Sequence, residues 1–153
     1  MQLYRKGAHT LFDCKYHLVW TTKYRKPILV QEIRQKIFSH IRENAKKKGI
    51  YVDFINGHLD HVHCLISLGS SQNIDKILML LKGESSYWIN KYKIVEGKFE
   101  WQDDYFAVSV SDSVVNRVRN YIKNQENHHK KKEFEEEYQE FIQKFKFETS
   151  RLG

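Results

Sequence analysis

The chain has 153 residues, of which 41% are hydrophobic and 14% aromatic, a composition that excludes intrinsic disorder and fits one domain over residues 1–153. Lysine and arginine outnumber aspartate and glutamate by 26 to 19, for a net charge of +7, which favours a polyanionic partner such as nucleic acid. No run approaches the roughly 18 apolar residues of a membrane span. The start, MQLYRKGAHT, lacks an apolar secretory segment, so we expect a cytoplasmic protein.

The first elements are a strand and a helix separated by a basic loop. Residues 12–20, FDCKYHLVW, alternate in polarity and predict a strand. The basic sequence TTKYRKP follows and reads as a loop that closes at Pro27. Apolar residues then recur at helical spacing as far as Lys48, and Gly49 is a typical helix stop.

Two strands and a long helix come next. Residues 50–55, IYVDFI, predict the second strand, and Gly57 marks a turn into the third, residues 61–68. Helical periodicity covers roughly 72–93, with Ser71 as a possible N-cap.

The last third adds one strand and two helices. YFAVSV, 105–110, predicts the fourth strand, and SDS can cap a helix over about 113–127. The charged tail from 131 carries an apolar stripe and predicts a further helix. The order β-α-β-β-α-β, followed by two helices, predicts an α+β protein of ferredoxin-like (RRM-like) type. Such a fold is an antiparallel sheet with helices on one face.

The segment GHLDHVHCLISL holds the strongest chemical signal. Alternation along a strand places His61 and His63 on one face, about 7 Å apart, while Val62 and Cys64 face the core. Two neighbouring imidazoles can share a cation if a third ligand arrives from elsewhere in the chain. The alternative is a pair of partly exposed histidines on a sheet surface.

The helix over 113–127 adds a second group of candidates. Arg117, Tyr121 and Gln125 lie at i, i+4 and i+8 on one polar stripe. A glutamine carbonyl suits Mg²⁺ or Mn²⁺, and a tyrosine hydroxyl is a possible nucleophile on phosphorus. Alternatively, Tyr121 fills a helix–sheet contact and Gln125 is solvated.

These pieces resemble the single-tyrosine insertion-sequence transposases of the HUH (His-hydrophobe-His) endonuclease superfamily. The resemblance rests on HLVWTTKYRKPIL, DHVH, LLKGESSYWIN and WQDDYFAVSVSDSVVNRVRNYIKNQ, in that order, over roughly residues 10–145. It extends to the repeat-associated tyrosine transposases.

The resemblance implies roles for named residues. His61, His63 and Gln125 would hold a divalent metal, Mg²⁺ or Mn²⁺, and Tyr121 would be the nucleophile. It also implies cleavage and rejoining of single-stranded DNA at hairpin-marked element ends, through a 5′-phosphotyrosine. The protein would act as a homodimer, the histidine pair of one subunit facing the tyrosine helix of the other, in association with a bacterial or archaeal nucleoid.

Other polar residues surround these candidates. His58 and Asp60 can orient a histidine or simply form a turn, and His128 can approach the metal or remain solvated. Two basic groups are candidates for DNA contact: the loop Lys23, Tyr24, Arg25 and Lys26, and the helix residues Arg117, Arg119 and Lys123.

Three alternatives remain. The first is a non-catalytic nucleic-acid-binding module of the same fold, although the histidine strand lacks an RNP-like pattern. The second is a domesticated or repeat-associated nickase that does not move its own element. The third is a structural zinc site built from His58, His61, His63 and a cysteine, which strand alternation disfavours because Cys64 points away from His63. We expect Cys14 and Cys64 to be reduced.

Overall fold

The computed structural model describes residues 13–125 and the isolated positions 139 and 143. Its elements are β1 (Cys14–Thr21), α1 (Gln31–Lys47), β2 (Tyr51–Gly57), β3 (His61–Leu68), α2 (Ile74–Lys91), β4 (Phe106–Val110) and α3 (Val115–Lys123). The described chain falls into a compact unit that ends at Lys123 and a second unit that begins at Asn124. The helix predicted from residue 131 lies outside the described residues.

The four strands form one antiparallel sheet in the order β2-β3-β1-β4. This is the ferredoxin-like order, so the predicted α+β fold is confirmed. The two central strands are β1 and β3, and their register pairs Val19 with His63 and His17 with Leu65. The strand that carries the histidine pair therefore lies in the interior of the sheet, between β2 and β1.

One face of the sheet carries the main hydrophobic core. Alternate side chains of β1 and β3 point into it, including Leu18, Trp20, Val62, Cys64 and Ile66. Buried residues of α1 and α2 pack against them from above: Ile37, Phe38, Ile41, Ala45, Ile77, Leu78, Leu81 and Ile89. The predicted direction of Val62 and Cys64 is confirmed.

The opposite face of the sheet is covered by α3. This helix is strongly amphipathic and buries Val115, Val118 and Ile122. It lies along β2 and β3, and the Asn56 side-chain amide on β2 donates hydrogen bonds to the carbonyls of Ile122 and Lys123, at 2.9 and 3.2 Å. The helices therefore occupy both faces, α1 and α2 on one and α3 on the other.

Several element ends differ from the prediction. The second strand runs to Gly57 rather than residue 55, with a register shift between Val52 and Phe54. The third helix begins at Val115 rather than at residue 113, and its described span is Val115–Lys123, while residues 126 and 127 of the predicted helix lie outside the described residues. Gly49 follows α1 with φ +73°, which confirms the predicted stop, since glycine enters the left-handed region without steric cost.

The predicted cap of α2 was wrong. Asn73, not Ser71, is the N-cap, and its Oδ1 accepts a hydrogen bond from the Lys76 backbone N–H at 3.2 Å.

None of the helices in the described residues is long and apolar enough to span a membrane.

Asn73→Ala should lower the free energy of unfolding by about 1 kcal/mol, because the first turn of α2 loses its side-chain acceptor. Urea denaturation followed by circular dichroism measures the change. Ser71→Ala is the matched control and should leave stability within about 0.5 kcal/mol. Equal effects of the two substitutions would contradict the assignment of the cap.

Candidate active site

His61 and His63 both lie on the sheet face against which α3 packs. Their residues are 0% and 1% exposed, and their ring centroids are 5.0 Å apart with the rings nearly perpendicular, at 84°. They share a face because they are two residues apart on β3. The alternative of two partly exposed surface histidines is therefore wrong, because both residues are buried.

A tight turn fixes where β3 begins. The His58 backbone N–H donates to the His61 carbonyl at 3.1 Å. Gly57 lies so close to that carbonyl that a β-carbon there would collide with it, so only glycine fits. His58 itself is half-buried at this turn. The turn thus sets the backbone position from which the His61 ring projects.

Asp60 directly contacts the first histidine. Its Oδ1 lies 2.8 Å from His61 Nδ1, and its Oδ2 accepts a hydrogen bond from Arg25 Nε at 3.3 Å. Burial of Asp60 opposes its ionisation, but the hydrogen bond to His61 and the charges of His61 and Arg25 outweigh it and hold the Asp60 pKa below its ordinary value. A carboxylate in this position fixes the orientation of an imidazole.

His17 is a site residue that the sequence analysis missed. It lies on β1, fully buried, with Nε2 2.9 Å from His63 Nδ1 and the two rings stacked at a centroid distance of 5.0 Å. Burial lowers the His17 pKa to about 3, so its ring is neutral. The sequence did contain a signal: His17 lies in the predicted strand 12–20, on the face opposite its apolar residues.

Tyr121 packs against these rings from α3. It is half-buried, and its ring centroid lies 5.5 Å from that of His63 and 6.3 Å from that of His17, in edge-to-face contacts at 79° and 72°. The structure thus brings the candidate nucleophile and the histidine pair together within a single chain.

Gln125 follows α3 and has a buried side chain, but it belongs to the second unit, which begins at Asn124. His128 lies outside the described residues. Between residues 13 and 125, no group of three or more His, Cys, Asp or Glu side chains is arranged to hold a metal. A metal bound by His61 and His63 therefore needs a third ligand of another type, such as an amide oxygen, or one from outside this range.

The cysteines do not supply such a ligand. Cys64 is a free thiol buried in the core on the face opposite His63, and burial raises its pKa to about 12. Cys14 is also a free thiol and is only partly buried. A neutral thiol packed among apolar side chains is a poor zinc ligand, because zinc binds the thiolate.

Comparison with known proteins places this chain in a family. The family model described as "Transposase IS200 like" matches residues 10–125. The chain belongs to the IS200-like transposase family. The match spans every element described above, from β1 to α3, and includes the histidine pair and Tyr121.

Individual relatives agree with this assignment. The chain is 31% identical over 127 residues to the ISDra2 transposase TnpA of Deinococcus radiodurans, covering 79% of this chain and 90% of that protein. It is 28% identical over 124 residues to the transposase for insertion sequence element IS200 of Salmonella typhimurium, covering 77% and 80%.

Two solved structures share the fold. A crystal structure of a protein from Deinococcus radiodurans, described as a transposase, superposes with a TM-score of 0.64 at 27% identity and covers 79% of this chain and 97% of that one. A REP-associated tyrosine transposase bound to a REP hairpin superposes with a TM-score of 0.61 at 13% identity, covering 84% and 74%.

The basic loop of this transposase is an exposed turn beside the site. Tyr24 is 78% exposed, and both Tyr24 and Arg25 adopt left-handed backbone angles, with φ of 57° and 53°, which cost energy for residues other than glycine. Lys23 Nζ lies 5.7 Å from the centre of the Tyr24 ring. An exposed ring flanked by cations suits stacking on a base next to a phosphate.

The basic residues of α3 have different positions. Arg117 and Lys123 are exposed. Arg119 is engaged within the protein, since its Nη2 and Nε contact Asp53 Oδ2 on β2 at 2.6 and 3.1 Å. Together with Asn56, this ion pair holds α3 on the sheet, which is a structural role for a residue predicted to contact DNA.

Arg119→Met should lower the free energy of unfolding by about 1–2 kcal/mol, because it leaves the Asp53 carboxylate largely buried without its cation. Urea denaturation gives the global change, and hydrogen exchange should show faster opening of α3. Lys123→Met, at an exposed position of the same helix, should cost less than about 0.5 kcal/mol. Equal losses for Lys123→Met and Arg119→Met would refute a specific role for the ion pair.

Proposed function

We propose that this transposase cleaves and rejoins single-stranded DNA through a covalent 5′-phosphotyrosine on Tyr121, with a divalent metal, Mg²⁺ or Mn²⁺, held by His61, His63 and Gln125. The observation that carries the proposal is the packing of the Tyr121 ring against His63, at a centroid distance of 5.5 Å. A hydroxyl-bearing ring beside a histidine pair is what such a reaction requires.

The donor set fits a divalent metal. Each histidine has a partner at its Nδ1, Asp60 for His61 and His17 for His63, so Nε2 is the ring nitrogen that would coordinate the metal. Two imidazoles and an amide oxygen are acceptable ligands for Mn²⁺ and Mg²⁺. When bound, the metal would polarise a non-bridging phosphate oxygen.

The chain's own residues then perform the bond exchange. The Tyr121 hydroxyl loses its proton as its oxygen attacks phosphorus in line, the 3′ oxygen of the preceding nucleotide leaves and takes up a proton, and the 5′ phosphate remains on the tyrosine. Attack by a 3′-hydroxyl from a second cleaved strand reverses the step and joins new ends. Because one phosphoester replaces another, no ATP is required.

Single-stranded DNA with hairpins is the proposed partner. Support comes from the net charge of +7, from the exposed Tyr24 in its basic loop, and from a neighbour of the same fold that was solved with a REP hairpin. Lys23, Arg25 and Lys26, with Arg117 and Lys123, are the proposed phosphate contacts. The proposed setting is the nucleoid in the cytoplasm of a bacterium or an archaeon.

Two alternative functions can be compared with this proposal. The fold shared with a REP-associated transposase favours, as the second candidate, a repeat-associated enzyme that cuts without moving its own element. A binding module that uses an open sheet, as in RNA recognition motifs, is disfavoured because α3 packs on the face that carries His17 and His63.

Tyr121→Phe should abolish covalent attachment to DNA while leaving DNA binding unchanged, because only the attacking oxygen is lost. Labelled single-stranded DNA from the flanks of the protein's own locus is incubated with the protein and Mg²⁺, Mn²⁺ or a chelator. A denaturing gel then reveals the adduct. Tyr87→Phe is the matched control: Tyr87 is exposed on α2 and should form as much adduct as the wild type.

Two outcomes would contradict the proposal. An adduct formed by Tyr121→Phe would show that another residue is the nucleophile. Tight hairpin binding without any adduct from the wild-type protein, at any metal concentration, would favour the binding module.

We further propose a homodimer whose active sites combine the histidine pair of one subunit with the tyrosine helix of the other. In the structure of one chain, Tyr121 lies against its own His63, so the same residues are compatible with either arrangement.

Subunits carrying Tyr121→Phe and subunits carrying His63→Ala, each inactive alone, should regain activity when mixed. Each mixed dimer should form about half of the adduct of a wild-type dimer, because one of its two sites is complete. Mixing is checked by native mass spectrometry. Mixed dimers without activity would establish sites built within one chain.

A further inference from the structure

His17 lies outside the set of residues that the proposed chemistry uses directly, yet it touches two of them. Its Nε2 is 2.9 Å from His63 Nδ1, its ring stacks on the His63 ring at 25°, and its centroid is 6.3 Å from that of Tyr121. Its residue is fully buried. A fully buried imidazole is costly unless it is hydrogen-bonded, so this contact needs an explanation beyond packing.

The register of the sheet creates the contact. Val19 is directly opposite His63 across the β1–β3 pair, and His17 is two residues from Val19 on the same face. Such diagonal neighbours on antiparallel strands lie within reach of long side chains. The position of His17 is therefore as fixed as the sheet itself.

His17 does for His63 what Asp60 does for His61. Each partner meets the Nδ1 atom of its histidine, at 2.9 Å for His17 and 2.8 Å for Asp60. The two partners come from different places: Asp60 precedes His61 on the chain, whereas His17 comes from the neighbouring strand. Both members of the pair are thus oriented through the same ring nitrogen, so both can present Nε2 in the same way.

The proton between the two rings decides whether His63 can bind a metal. If His63 Nδ1–H donates to His17 Nε2, then His63 Nε2 carries a lone pair and can ligate. If His17 Nε2–H donates instead, His63 Nε2 carries the proton and cannot. Only the first arrangement is compatible with a metal-binding His63.

We infer that His17 is a positioning residue that accepts a hydrogen bond from His63 Nδ1–H and so holds His63 in the tautomer that binds the metal. This inference rests on the proposed metal role of His63. It assigns His17 no contact with the metal or with DNA. It predicts that an acceptor at position 17, rather than an imidazole as such, is what the site needs.

The test compares Mn²⁺ binding by full-length variants, measured by isothermal titration calorimetry without DNA. His17→Leu removes the acceptor and should weaken Mn²⁺ binding about 10- to 100-fold. His17→Gln keeps a side-chain oxygen that can accept and should stay within about threefold of the wild type. His40→Leu is the matched control, because His40 stacks on Trp88 and bonds Glu84 away from this site, and it should not change binding.

A spectroscopic measurement on the wild-type protein keeps the inference testable if His17→Leu fails to fold. Long-range ¹H–¹⁵N spectra of metal-free protein at neutral pH should show His63 protonated at Nδ1 and unprotonated at Nε2. The opposite tautomer would overturn the inference.

The outcomes separate this inference from the function on which it rests. If His63→Ala weakens Mn²⁺ binding and His17→Leu does not, His17 has no positioning role and the proposed function stands. If His63→Ala binds Mn²⁺ as tightly as the wild type, the proposed metal role fails and the inference fails with it. Loss in His17→Leu with rescue by His17→Gln supports both.

Discussion

The structure depends on the burial of a polar sheet face beneath an amphipathic helix. His17, His61 and His63 all point to the side of the sheet that α3 covers, and all three are almost completely buried. Imidazoles can be removed from water at tolerable cost only if their nitrogens keep partners. Asp60 gives His61 Nδ1 a partner, and His17 Nε2 and His63 Nδ1 partner each other; these contacts depend on the tight turn before His61 and on the β1–β3 register.

The two faces of the sheet carry different side chains, one the main hydrophobic core and the other the residues of the proposed active site. The face under α1 and α2 holds the large apolar side chains, including Leu18, Trp20 and Ile66. The other face combines a few apolar anchors from α3, such as Val118 and Ile122, with the histidines and Tyr121. Strand alternation allows this division, because adjacent residues of β3 serve opposite layers.

Local patterns in the sequence were sufficient to predict the fold and part of the candidate site. The period of apolar residues predicted four strands and three helices in the right order, and the HVH spacing placed His61 and His63 on one face. The contacts of Asp60 and His17 depend on the exact turn and strand register, which are set by pairing between distant residues. The α2 cap was missed because Ser71 and Asn73 are both good capping residues, and only the final backbone selects Asn73.

The way α3 is attached has a consequence for assembly. The helix follows β4 through the short segment 111–114 and is held on the sheet by Val115, Val118 and Ile122, the Asn56 amide and the Arg119–Asp53 ion pair. An identical sheet in a second copy offers the same apolar packing surface, Asn56 amide and Asp53 carboxylate. Exchange of α3 between two chains would therefore conserve these contacts. The balance between closed and exchanged forms would then depend on strain in the 111–114 connection and on protein concentration. In the proposed homodimer, a change in this connector would alter which subunit's tyrosine serves which site.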